Sequence, residues 1–422
     1  MTWRRLVTAL LGASVVLAAG AASADLLRLP RVRAALAELD LPAARAIVEG
    51  STPDDRDTAR AIALVALYDG DCERAAAALA LFPGAEGGEL GGADEVARGC
   101  RRATAGAAWV ADEQSGIVVR AKHDADLPFV PLVAEVAEAA RDAIERDLGA
   151  VLPRPLRVEI VPDQHSLALH TGLPEKAAQT TGTVAVAKWG KVTMLSPRAM
   201  KSGYGWADTL AHEITHLVVT RATHDKAPLW LQEGIAKREE TRWRAAWPGD
   251  GVPSPEGVAK WGFSRGMALP LDRLGPSIAM LPSGEMAMVA YAEVHSFARY
   301  LEGEEGPGTL AKLLSATSRE SGDEAMDRAL EATVGAPLAA LSGRWQSWVA
   351  GQAPAAAAEL PVNRVAVFQQ WPAVFLADFL FVSLTHCVHC AVRAVDAPAA
   401  FVKVTPTEAT PELLGETLKF CV

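Results

Sequence analysis

His212-Glu213-Ile214-Thr215-His216 places two imidazoles four residues apart. On a helix such residues share one face, one turn apart, and can bind a single metal ion. The apolar pattern of Trp206, Leu210, Ile214, Leu217 and Val218 makes the segment helical. Glu213 lies beside His212, on the turn before His216, where its carboxylate can reach a water held by the metal. A zinc hydrolase needs this arrangement: two ligands and an adjacent base for the attacking water.

A further ligand is offered by Pro228-Leu229-Trp230-Leu231-Gln232-Glu233-Gly234-Ile235-Ala236. Proline favours the first position of a helix, so a second helix is expected to open here. Glu233 sits among Leu229, Trp230, Ile235 and Ala236. A buried carboxylate is costly unless it is paired or metal-bound. As a third ligand it would leave one zinc position open for water. The plainer alternatives are a helix with two packed or solvated histidines, and Glu233 as a surface acid near Lys237 or Arg238.

Together these segments resemble the gluzincin metallopeptidases, specifically the peptidase MA-like group, over roughly residues 117–349. Pro162-Asp163-Gln164 before a helix, Leu195-Ser196-Pro197-Arg198, and Tyr291 opening a helix that ends in Arg299-Tyr300-Leu301 belong to the likeness. The resemblance implies one Zn2+ per chain held by His212, His216 and Glu233, with Glu213 as general base and proton shuttle. It implies a peptide or protein substrate and hydrolysis of peptide bonds. Gluzincins often stabilise the oxyanion with a Tyr or His, which makes Tyr291 the expected donor, with His295 one turn later and His224 between the metal helices as alternatives. Some zincins carry an acid one turn after the third ligand, where it orients a metal histidine. Lys237 occupies that place here, so the orienting acid must come from elsewhere, Asp208 or Glu239. The competing reading is a non-catalytic peptide-binding or scaffold protein that keeps a zincin fold.

The surrounding pattern sets out the elements that must hold these residues. Ile117 to Val119 and Leu156 to Val161 read as strands, and Pro131 to Leu148 as a helix with Leu132, Val136, Ala139, Ala143 and Ile144 on one stripe. Thr183 to Ala187 and Val192 to Leu195 bracket Lys188-Trp189-Gly190-Lys191, the pattern of a hairpin. Helices dominate from there to about residue 350. The expected fold is α+β: a mainly helical zincin-type catalytic domain over residues 115–351, with a small β-sheet, preceded by a small α-helical domain over 25–105. In that first domain Tyr68-Asp69-Gly70-Asp71 separates two Ala-rich helices, which resembles a tetratricopeptide-type pair and suggests a face for a protein partner. Too few units are visible for a solenoid, so a small helical cap is the simpler reading.

Composition closes off other classes. The chain has 422 residues, half of them hydrophobic, and a formal charge of −10. An acidic chain without a basic stripe is a poor partner for nucleic acid. Arg4 and Arg5, the apolar run Leu6 to Ala19 and Ala22-Ser23-Ala24 read as a signal peptide over residues 1–24. Export follows, to a periplasmic or extracellular location. In an oxidising compartment Cys72 and Cys100 can pair, or stay as two buried thiols. The tail, 352–422, opens on a Pro/Ala linker. Its apolar stretch Val365 to Leu384 is broken by Gln369, Gln370, Pro372 and Asp378, which argues against a span and against membrane association. His386-Cys387-Val388-His389-Cys390, with Cys421, is either a second metal site or a source of disulfides.

Overall fold

Aspartates and glycines punctuate the first five helices, α1 (Arg28–Ala37), α2 (Leu41–Val48), α3 (Arg56–Asp69), α4 (Cys72–Ala80) and α5 (Ala93–Thr104). Asp40, Asp55 and Asp71 cap the starts of α2, α3 and α4 by accepting from backbone amides of the first turn. Gly70 ends α3 in the left-handed conformation, φ 73°, so Tyr68-Asp69-Gly70-Asp71 is a stop followed at once by a start. Val32, Leu36, Ala44, Leu64 and Leu67 fill a core of their own. A disulfide joins Cys72 to Cys100 across α4 and α5, with the Cα atoms 5.6 Å apart.

This computed structural model describes residues 28–82, 93–107, 109–112, 114–201, 203–317 and 320–355. The expected signal peptide, the apolar stretch 365–384, the cluster 386–390 and Cys421 lie outside the described residues. Everything described, this helical layer included, belongs to one unit, Met1–Val365.

The sheet carries β1 (Trp109–Asp112), β2 (Ile117–Ala121), β3 (Leu156–Val161), β4 (Ala185–Lys188) and β5 (Lys191–Leu195), in the order β1-β2-β3-β5-β4. The hairpin expected around Lys188 to Lys191 forms, with Ala187 opposite Val192. β2–β3 and β3–β5 are parallel, which the strand patterns did not announce. Parallel neighbours need crossovers. α6 (Val130–Leu148) supplies one, and α7 (Gln164–Thr171) with α8 (Glu175–Thr181) belongs to the other.

Helices follow: α9 (Trp206–Thr223), α10 (Leu229–Glu239), α11 (Pro255–Ser264), α12 (Gly284–Gly303), α13 (Thr309–Thr317), α14 (Asp323–Val334) and α15 (Leu338–Ala350). The expected α+β class, mainly helical with a small sheet, is the class observed. The main core joins Val119 and Val158 of the sheet to Ala137 and Ile144 of α6, Leu210 and Ile214 of α9, and Phe297 of α12. α10 approaches α12 closely because residue 234 is glycine: a Cβ there would meet the Val294 carbonyl oxygen at 2.6 Å. Trp230 and Phe297 seal the same seam edge to face, 5.2 Å between ring centres. Among the described residues no helix is long and apolar enough to cross a membrane.

Candidate metal centre

α9 and α10 bring His212, His216 and Glu233 together, as their spacing predicts. The two Nε2 atoms are 3.2 Å apart. Glu233 Oε2 lies 3.4 Å from His212 Nε2 and 3.5 Å from His216 Nε2. That buried oxygen has no hydrogen-bond partner among the described residues. Three donor atoms on a tetrahedral ion with bonds of 2.0–2.1 Å would be separated by roughly 3.3 Å. The donors thus converge on one point, with the chemistry and spacing to hold a small divalent cation.

The electrostatics agree. Burial opposes charge on His212, but the carboxylates of Glu233 and Glu240 beside its two nitrogens, with the nearby Glu213 carboxylate, raise its pKa to about 10. His216 is raised too, by Glu233, against burial and against its neighbour His212. Burial alone would push the Glu233 carboxyl up; the two histidines reverse this and hold it well below the usual carboxylate range. A pocket that concentrates negative charge around two imidazoles attracts a proton or a metal cation, and the two compete for the same lone pairs.

The orienting acid is Glu240, which sequence reasoning missed. Its Oε2 lies 3.4 Å from His212 Nδ1, and Lys237 Nζ bonds both of its oxygens at 2.6 and 2.7 Å. Burial would raise Glu240, yet Lys237 and His212 bring its pKa down to about 2. The two acids named earlier are engaged elsewhere. Asp208 accepts from Arg244 and Trp243, and Glu239 pairs with Arg238 and Arg242. The signal was present: Glu240 follows Glu233 by seven residues, two helical turns on the same face. Lys237 thus binds the orienting acid from the position where some zincins place that acid itself. His216 Nδ1 faces Gln232 Oε1 at 3.4 Å.

Glu213 lies on α9 beside the histidines, and its Oε2 accepts from the Ala187 amide of β4 at 2.6 Å. Tyr291 stands where its ring meets His212 edge to face, 6.3 Å between centres. It does not open its helix, however; α12 begins at Gly284, and Tyr291 is two turns inside. Burial, reinforced by Glu233, Glu213 and Glu240, raises its hydroxyl pKa well above the usual value, so it stays a proton donor. Burial first, then the charge of Lys237, lowers His295 to about 3, leaving a neutral imidazole one turn behind Tyr291. His224 is drawn away: it caps α9 in the left-handed conformation, φ 52°, and pairs with Glu38 of the helical layer. No protein-family model matches this chain, and no curated protein matches it.

Proposed function

We propose that the protein is an exported zinc-dependent peptidase of the gluzincin kind, with His212, His216 and Glu233 as zinc ligands. Two imidazoles and one carboxylate on nearly tetrahedral spacing suit zinc, and three protein ligands leave a position for water. Zinc bound there would supply a Lewis acid and a water with its pKa lowered towards roughly 7. Beside it, Glu213 would accept a proton from the attacking water and pass it to the departing amine. Its bond to the Ala187 amide fixes one carboxylate oxygen and leaves the other for this exchange. Tyr291, protonated, donates to the substrate carbonyl oxygen as negative charge builds there. Glu240 and Lys237 hold the ring plane of His212.

The observation that carries peptide as the substrate is the outer edge of β4. β4 is the last strand of the sheet, and Leu195 N donates to Val184 O across the hairpin. Antiparallel bonding alternates along a strand, so the backbone groups of Ala185 and Ala187 turn outward, towards the side where Glu213 lies. An extended peptide pairing with this edge would lay its carbonyls beside the base and the metal ligands. The Cys72–Cys100 disulfide supports an oxidising, exported setting.

Purified full chain should contain about one zinc and cleave a diverse peptide library, with a chelator stopping cleavage. Glu213→Gln should keep the zinc and lower kcat by about a hundred to ten thousand-fold. Zinc without cleavage, and no difference for Glu213→Gln, would favour a binding or scaffold protein.

A further inference from the structure

Trp189 and Gly190 form the two-residue loop between β4 and β5, with φ 57° and 65°. Two left-handed residues make a type I′ turn, which favours Asn-Gly. A bulky residue at the first position crowds its own backbone, so tryptophan is a poor local choice. Its indole is 6% exposed and packs within the core of the helical layer. Tyr68 of α3 meets it edge to face, 6.2 Å between ring centres. Glycine at 190 is required by the same contact, because a Cβ there would lie 2.7 Å from the Tyr68 ring. Buried Lys191, the next residue, donates to the Leu67 carbonyl at the end of α3 at 2.8 Å.

Two residues before Trp189, the Ala187 amide holds Glu213. The same short loop is therefore gripped by α3 and tied to the base. The layer also reaches the metal helix: Arg221 near the end of α9 donates to the Glu38 carbonyl at 2.6 Å, and the Glu38 carboxylate pairs with Arg221 and His224.

We propose that Trp189 is a positioning residue through which the helical layer sets the place of β4 beside Glu213. The strained turn is kept because the indole anchors the strand from outside the sheet. One face of the layer is thus part of the scaffold of the site. The catalytic consequence rests on the peptidase reading; the hold on β4 does not.

The test uses the full chain with Trp189→Ala, Trp189→Asn and Trp189→Phe. Amide hydrogen exchange over residues 183–196, zinc content, kcat and KM are measured. Asparagine creates Asn-Gly, the favoured local turn, but removes the anchor. Anchoring predicts that Ala and Asn both raise exchange in β4 about tenfold and lower kcat about tenfold at unchanged zinc content, with Phe close to wild type. Restored protection with Asn, unchanged exchange with Ala, or raised exchange with unchanged kcat overturns the proposal. Should Trp189→Ala fail to fold, Tyr68→Leu leaves the hairpin intact and must raise β4 exchange in the same way; unchanged exchange there overturns the proposal. A wild type that cleaves no peptide sinks the peptidase reading alone, and the exchange result still decides the hold on β4.

Discussion

Two clusters of buried polar side chains each centre on a glutamate, Glu159 beside β5 and Glu233 on α10. Glu159 is surrounded by Arg120, His170 and Lys191 at 2.5, 2.9 and 3.4 Å. Burial would raise its pKa, but Lys191, His170 and Arg120 hold it far below the usual range. The excess positive charge meets carbonyls at the C-terminal end of α3: Arg120 donates to Gly70 O at 3.0 Å and Lys191 to Leu67 O at 2.8 Å. His170 is engaged at both nitrogens, by Ser166 O and by Glu159. Around Glu233, by contrast, two imidazole nitrogens face one another across 3.2 Å. Glu159 Oε2 and His170 Nε2 pair as ions without a well-directed hydrogen bond, but the lysine and arginine around them cannot ligate a cation, so the first cluster offers too few ligands. Two imidazole nitrogens and a carboxylate oxygen that converge within 3.5 Å mark the second as able to hold a cation. Burial of charge is common to both; the balance of donors and acceptors separates a fastening from a site.

Several substitutions would break or sharpen that contrast. The largest effect after loss of the base is expected at Glu159, because removing it strands Arg120 and Lys191. Glu159→Gln should lower the unfolding free energy by about 3 to 5 kcal/mol in urea, while the folded fraction keeps its metal. Equal loss of metal and stability would merge the two clusters. Tyr291→Phe comes next: kcat should fall about a hundredfold with zinc content unchanged, and an unaltered kcat would remove Tyr291 from the chemistry. Glu240→Gln should weaken zinc binding about ten- to a hundredfold in competition with a chelator and leave urea stability close to wild type.

The effect confined to one pH window concerns a third buried acid, which has no cationic partner among the described residues. Glu293 is fully buried, accepts among the described residues only from the Leu269 amide at 3.3 Å, and is raised by burial to about 8. Between its unfolded pKa of about 4.3 and its folded value, the native state holds a proton the unfolded chain has lost. Stability from this group therefore falls as pH rises through that window, by up to about 1.4 kcal/mol per pH unit. Glu293→Gln should flatten that slope in thermal melts from pH 5 to pH 8; an unchanged slope would mean that Glu293 is ionised in the fold.

The group of His212, His216 and Glu233 was legible because each member is placed by a local pattern. Two histidines one turn apart, and a glutamate in an apolar helix, need only helical periodicity to be placed. Hairpin and helix boundaries near Lys188, Leu148 and Val161 followed from patterns of the same range. Glu240 was hidden because a departure from a family's usual position drew attention to Lys237, when the periodicity of α10 already aligned Glu240 with Glu233. The parallel pairing of β2, β3 and β5 was out of reach, since strand patterns do not state neighbours. The local pattern of Trp189 is that of a turn; only the fold shows its side chain inside another layer. His224 lay in a plausible loop, but Glu38, far away in sequence, fixes where it points.

The tie between Arg221 and Glu38 joins residues 183 apart, and Lys191 reaches back 124 residues to Leu67. During synthesis the first helices emerge long before their partners exist. In the fold their core is completed by Trp189 of the hairpin. Contacts closed across such distances form late and slowly. On the peptidase reading, a site whose strand and base are held by contacts of such range would be completed only at the end of assembly, when little unfolded chain of its own remains to be cut.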